Sequence, residues 1–212
     1  IVVLGSGDEW PTSGDEGPTL ALIRQFPRTT FYGYVDIGMA DGQPHHPPRV
    51  LQADFYQWHR IGARGVLLDC AGPDYGVSPA RLRWAVQAAH QAGLRVLVNA
   101  FEPRVVLSAG LQSGDAWLAE NWVMADGVPD ATTQGFDWSA LSALKARGIA
   151  IWMTATDRQP PSRAWVTQWV LATVHAVGGQ AIAVAGPNYS SQSNAVVPAV
   201  WILSALTEKP AV

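Results

Sequence analysis

The sequence predicts an α/β fold of the (β/α)8 barrel type, with its first strand missing or incomplete. Three observations predict it. Short β-rich runs recur about every thirty residues: Ile1–Gly5, Phe31–Ile37, Gly65–Asp69, Arg95–Ala100, Trp122–Asp126, Ile149–Thr154 and Gln180–Ala185. Each pair is separated by a stretch that can form an amphipathic helix, and strand–helix–strand at this spacing is the unit that builds a parallel sheet. Most of the runs end in a polar or acidic residue, and in a closed barrel all strand C-termini gather at one rim, where such folds place their chemistry. Seven runs are visible where a barrel closes at eight, which leads to the expectation that Ile1–Gly5 is the second barrel strand and that the first lies upstream. The residues 1–212 are read as a single domain.

The helices are legible from their punctuation. Ser78-Pro79 opens one with an N-cap and a first-turn proline. Leu82, Val86 and Ala89 then recur on one face, and Gly93 ends it. Trp138 to Arg147 is a helix closed by Gly148. Ser162 caps another that runs to Val177, with Trp165, Trp169 and Ala172 as one stripe. Leu51–Ile61, Thr19–Phe26 and Ala195–Leu206 complete the set. A doubly wound open sheet is the competing architecture, and it normally carries a Gly-rich phosphate loop. The first turn reads Gly5-Ser6-Gly7-Asp8-Glu9-Trp10: the third glycine is absent and acids stand where phosphate would bind, so a nucleotide site is discounted.

Charged residues make up 15% of the chain, against roughly 25% in a typical domain, and the net charge is −3. There is no basic stripe, which argues against nucleic acid as a partner. No apolar run reaches the ~18 residues needed to span a membrane. A single cysteine, Cys70, excludes an internal disulfide. His45-His46 are adjacent, so their side chains point apart, and no third ligand stands at metal spacing; no metal and no cofactor are expected. The oligomeric state is left open.

The strand ends supply the candidate chemistry. They offer Tyr34 and Asp36, Asp69, Asn99 with Glu102 beyond it, Asp126, Thr156 with Asp157, and Asn188 with Tyr189. Many carboxylates at one rim raise one another's pKa, which yields an acid and a base from one residue type. Paired carboxylates among asparagine and tyrosine suit glycoside hydrolysis. Asp69 closes the apolar run Val66-Leu67-Leu68, and Asp126 follows Val123-Met124-Ala125 in the same way. Tyr34, Asp36, Asn99, Glu102 and Tyr189 are read as substrate-binding neighbours. Asp8, Glu9 and Asp157 are read as solvated turn or cap residues, Asp74 as a turn residue, and His59, His90 and His175 as structural. Cys70 has no histidine partner for thiol chemistry. Trp84, Trp165, Trp169 and Trp201 are assigned to the core, and Trp10, Trp117 and Trp122 are left as sugar platforms.

These segments resemble a known family. Phe31-Tyr32-Gly33-Tyr34-Val35-Asp36-Ile37-Gly38 is similar to the GY-x-x-x-G strand of the endo-α-1,4-polygalactosaminidase-like and spherulation-specific glycoside hydrolases. Gly65-Val66-Leu67-Leu68-Asp69-Cys70 resembles their G-(I/V)-F-x-D-E strand, and Val96-Leu97-Val98-Asn99-Ala100 their V-x-V-N-(P/A) strand. Trp122–Asp126 falls where they carry a strand ending in glutamate. The resemblance covers the chain from Ile1 to Asp126. It implies a barrel that cleaves polysaccharides containing galactosamine or N-acetylgalactosamine, secreted or at the cell surface. It implies Asp69 as the nucleophile and Asp126 as the acid/base of a retaining mechanism. The chain departs from the pattern at Cys70, where many relatives have glutamate, and at Asp126, one methylene shorter than glutamate. A barrel of the same descent that only binds carbohydrate or serves a structural role is the alternative reading.

Overall fold

The computed structural model describes residues 1–121, 124–125, 128–129, 138–156, 162–186 and 199–207. The chain divides into two compact units: Ile1–Trp117 with Arg147–Ile149, and Leu118–Ala146 with Ala150–Val212.

The first unit runs β1 (Val2–Leu4), α1 (Glu16–Gln25), β2 (Phe31–Asp36), β3 (Met39–Ala40), β4 (Gln43–Pro44), α2 (Pro48–Ile61), β5 (Gly65–Asp69), α3 (Pro79–Gln91), β6 (Arg95–Asn99) and α4 (Pro103–Leu107), and it includes the start of β7 (Ala116–Ala119). Its main strands lie in chain order, β1-β2-β5-β6, and every neighbouring pair is parallel. No reversal of order occurs among them, whereas a doubly wound sheet must have one. The strands are apolar up to their last residue because helices cover them. Val66 and Leu68 of β5 and Val96 and Val98 of β6 are fully buried. Leu51, Phe55 and Trp58 of α2 and Leu82, Val86 and Ala89 of α3 fill the core of this unit. Gly33 is required in β2 because the indole of Trp58 occupies the space a Cβ would need. Ser78 accepts a hydrogen bond from the Arg81 N–H at 3.2 Å, the cap its sequence predicts.

The second unit carries the end of β7, β8 (Met124–Ala125), β9 (Val128–Pro129), α5 (Trp138–Ala146), β10 (Ala150–Thr156), α6 (Arg163–Val177), β11 (Ala181–Ala185) and α7 (Ala199–Thr207). β10 and β11 are parallel, and β8 pairs with β9 antiparallel. Ser162 caps α6 through the Trp165 N–H, and Gly178 closes it in the left-handed conformation. Trp165 and Trp169 stack one turn apart on α6, with ring centroids 6.4 Å apart. No helix among the described residues is long and apolar enough to cross a membrane.

One strand is not where the sequence pattern placed it. Trp122–Asp126 was expected as the fifth strand of the repeat, but that strand is β7, Ala116–Ala119, and Met124–Ala125 belongs to a separate two-stranded ladder. The cause is Trp117, expected as an exposed sugar platform. It is fully buried and its indole N–H donates to the Ala100 carbonyl at 2.8 Å, which anchors β7 eight residues past the end of α4. β7 reads Ala-Trp-Leu-Ala and holds no β-branched residue, whereas each other strand of the seven-stranded sheet holds Val or Ile, the signal that made those strands legible.

The start of β7 is held by a buried carboxylate. Asp115 accepts the Val96 N–H at 2.9 Å, the Gln112 N–H at 2.7 Å and a hydrogen bond from His90 Nε2 at 2.9 Å. His90 is thus structural, as its helical position predicts. Asp115 ties together the beginning of β6, the end of α3 and the turn before β7. Replacing it by alanine leaves buried donors without a partner, each a cost of order 1–3 kcal/mol. Asp115→Ala is expected to destabilise the protein by on the order of 3 kcal/mol. Urea unfolding followed by circular dichroism measures this, and a loss below about 0.5 kcal/mol contradicts the pin.

Candidate active site

Three adjacent parallel strands end on polar residues in register: Asp36 on β2, Asp69 on β5 and Asn99 on β6. Asp36 stands opposite Asp69, and the Leu68–Val98 pairing brings Asn99 opposite Asp69 on the other side. The ladder continues past the strands, with the Ile37 N–H on the Asp69 carbonyl and the Ala71 N–H on the Asn99 carbonyl, both at 3.1 Å. The strand ends are therefore fixed by backbone bonds before any side chain is considered.

Asp69 is the centre of the cluster. The Tyr34 hydroxyl donates to its Oδ2 at 2.6 Å, and the Asn99 amide donates to its Oδ1 at 2.8 Å. A carboxylate offers about four lone-pair positions, so both oxygens are oriented while each keeps capacity to react. Burial, then the hydrogen bond to Asp69 and the charges of Asp69 and Asp36, push the Tyr34 phenol far above its ordinary range. Tyr34 thus remains a donor at any physiological pH. The Cys70 thiol lies 3.8 Å from Asp69 Oδ2, and burial together with the same two carboxylates pushes it up to about 12. It is a thiol, not a thiolate, at neutral pH, which removes it as a nucleophile. Cys70 adopts φ +53°, rare for a residue with a side chain, and this left-handed turn directly follows Asp69.

Asp36 is not bonded to Asp69. Its Oδ1 accepts the Gly38 N–H at 2.7 Å, and its Oδ2 is 2.8 Å from His45 Nδ1. Glu102 stands exposed just before α4 and makes no side-chain cap. Beside it Phe101 is also exposed. Asp126 and Tyr189 lie outside the described residues, as do Trp122, Asp157 and Asn188. Among the described residues, no three His, Cys, Asp or Glu side chains stand close enough to hold a metal ion.

Three residues were missed or misread. Glu9, read as a solvated turn residue, is 3% exposed, with Oε2 lacking a hydrogen-bond partner among the described residues. The loop after β1 folds onto α2, where the Trp10 indole donates to Asp54 at 3.0 Å, and Glu9 is carried in beneath it. Asp8 is the turn residue expected, accepting the Gly5 N–H. Arg81 of α3 brings a cation to this rim, donating to the carbonyls of Ile37 at 2.7 Å and His46 at 2.9 Å. Glu120 follows β7 directly, and the next residue, Asn121, has φ +51°, the same device that follows Asp69. A carboxylate one residue past a strand was a readable signal, hidden because β7 itself was misplaced.

With this geometry in hand, known structures supply a close parallel. The chain matches the glycoside hydrolase domain of PelA from Pseudomonas aeruginosa with a TM-score of 0.51 at 17% identity, over 79% of this chain and 82% of that one. It matches a Glu→Ala variant of the same domain with a TM-score of 0.52 at 16% identity, with the same coverage. The fold is an incomplete (β/α)8 barrel. No protein-family model matches the sequence. No curated protein matches it either.

The burial of Glu9 has a measurable consequence. Desolvation, reinforced by the charges of Asp54 and Asp8, raises its pKa from 4.5 to about 7. An acid whose folded pKa is raised favours folding while protonated. Its contribution is whole below pH 4.5 and is lost as pH rises to 7, on the order of 3 kcal/mol for such a shift. Glu9→Gln, permanently neutral, is expected to raise the melting temperature above that of the native protein at pH 8, with the gap closing toward pH 4.5. Scanning calorimetry across this range measures it, and a gap independent of pH contradicts it.

Proposed function

We propose that the protein is a glycoside hydrolase that cleaves a polysaccharide containing galactosamine or N-acetylgalactosamine with retention of configuration. The observation that carries the reading is Asp69, a carboxylate at the end of a buried parallel strand, oriented through both oxygens by Tyr34 and Asn99. The fold shared with the PelA domain supports it. So does the resemblance of the β2, β5 and β6 segments to the polygalactosaminidase-like enzymes.

In this mechanism an Asp69 oxygen attacks the anomeric carbon while an acid protonates the departing glycosidic oxygen. The glycosyl ester is then hydrolysed by water, whose proton returns to the second carboxylate. Tyr34 and Asn99 hold the nucleophile at a fixed angle, and Tyr34 stabilises the charge regained when the ester breaks. The second carboxylate belongs to the segment after β7. The family resemblance gives this role to Asp126, and Glu120, the glutamate that directly follows β7 in the chain, is the second candidate for it. A substrate of this kind lies outside the cell, which fits a secreted or cell-surface protein.

Activity on partly acetylated α-1,4-galactosamine polymer tests the reading. Asp69→Asn is expected to lower kcat on the order of 10³-fold or more with the fold unchanged by circular dichroism. Asp126→Asn is expected to fall comparably and Glu120→Gln to fall little; the reverse order gives the role to Glu120. Proton NMR of the first product reports the anomer, and inversion removes Asp69 as nucleophile. Binding of the polymer without turnover, unchanged in Asp69→Asn, replaces the hydrolase by a carbohydrate-binding barrel.

A further inference from the structure

Asp36 and His45 form a second built arrangement beside Asp69. The loop between them leaves β2, forms the β3–β4 hairpin and returns. Its turn, Asp41-Gly42, has both residues at positive φ, +50° and +73°, as a two-residue hairpin demands. The loop is closed by the His45 N–H on the Gly38 carbonyl at 3.0 Å. Arg81 grips it from α3 at both ends, through Ile37 and His46. His45 is therefore held on a fixed backbone.

Its ring is held as well. Asp36 accepts from the Gly38 N–H with one oxygen and meets His45 Nδ1 with the other. A carboxylate only accepts, so Nδ1 carries a proton, and in the neutral ring Nε2 carries the free lone pair. Nε2 makes no hydrogen bond among the described residues, and the His45 side chain is 33% exposed. The contrast with His90 is instructive. There Nε2 engages Asp115, Nδ1 engages Gln112, and nothing is left over. His45 also lies close to the nucleophile's own neighbour. A Cβ on Gly38 would stand 3.0 Å from His45 Cε1 and 3.0 Å from Cys70 Cβ, so the imidazole and Cys70 flank a single glycine. Cys70 in turn touches Asp69.

We propose that His45 is a substrate-binding residue whose Nε2 accepts a hydrogen bond from a hydroxyl or amino group of the sugar seated at Asp69, with Asp36 as the positioning residue that sets its tautomer. The assignment rests on the glycosidase reading and deepens it. Asp36, expected from the sequence to touch substrate itself, acts instead through the imidazole.

Asparagine and glutamine separate contact from clasp. In His45→Asn the side-chain amide can still donate to Asp36, keeping the loop closed, but nothing reaches the Nε2 position. In His45→Gln the reach is restored. On the galactosamine polymer, His45→Ala and His45→Asn are each expected to raise KM about tenfold, the worth of one hydrogen bond of ordinary strength, with kcat within about twofold. His45→Gln is expected to recover part of the loss. A His45→Asn enzyme with native KM shows that His45 only closes the loop and overturns the proposal. A fall in kcat without a change in KM overturns it too. Nitrogen-15 NMR of the ring reports the positioning role: Asp36→Ala, which removes the acceptor, is expected to shift the proton from Nδ1 to Nε2, and an unchanged tautomer removes Asp36 from that role. A native chain that neither binds nor cleaves the polymer refutes the glycosidase reading itself, and this assignment with it. Native turnover with an indifferent His45→Asn refutes the assignment alone.

Discussion

The parallel register of β2, β5 and β6 is the constraint on which the site depends. It places the last residues of three strands in one row, Asp36, Asp69 and Asn99. A carboxylate at the end of an otherwise buried strand needs donors, because a charge removed from water without them is costly. Asp69 finds one on each side: Asn99 from the following strand and Tyr34 from the preceding one. A slip of one residue in either ladder would turn these side chains to the opposite face of the sheet. Backbone bonds that continue past the strand ends, at Ile37 and Ala71, secure against that slip.

The rim also shows how two carboxylates are held side by side. Asp36 and Asp69 face each other across a ladder, yet each carboxylate has its own donors and they share none. The field of the pair falls on its neutral neighbours instead. Burial first, and then this field, keep the Tyr34 phenol and the Cys70 thiol protonated, and both lie against Asp69. A cysteine where relatives of the resembled family carry glutamate thus removes one acid from an already acidic place.

Local order and long-range order were unequally legible. Ser78 and Ser162 were readable as caps because an N-cap speaks to an N–H three residues away. Asp69 was readable because an acid after three buried apolar residues is conspicuous, and Asn99 for the same reason. β7 was misplaced because Ala-Trp-Leu-Ala lacks the β-branched residues that mark the other strands of the sheet. What holds it, the Trp117 indole on the Ala100 carbonyl, spans 17 residues of sequence. Glu9 was misread because a short acidic turn ordinarily faces water, and its burial is imposed by α2, where Asp54 takes the Trp10 indole from 44 residues away. His45 was set aside for lack of metal partners, although its partner was a carboxylate nine residues upstream.

The sequence by itself determined the α/β repeat, the helix ends and the carboxylate that closes β5, because periodicity, caps and strand ends are written in residues close together along the chain. Only the tertiary structure decided what Asp69 is bonded to, that Asp36 serves an imidazole, that Glu9 is buried and where β7 begins. Each of these depends on two segments meeting at a particular register or on a helix closing over a loop. Such meetings are fixed by packing and backbone hydrogen bonding between distant parts of the chain, and no local pattern encodes them.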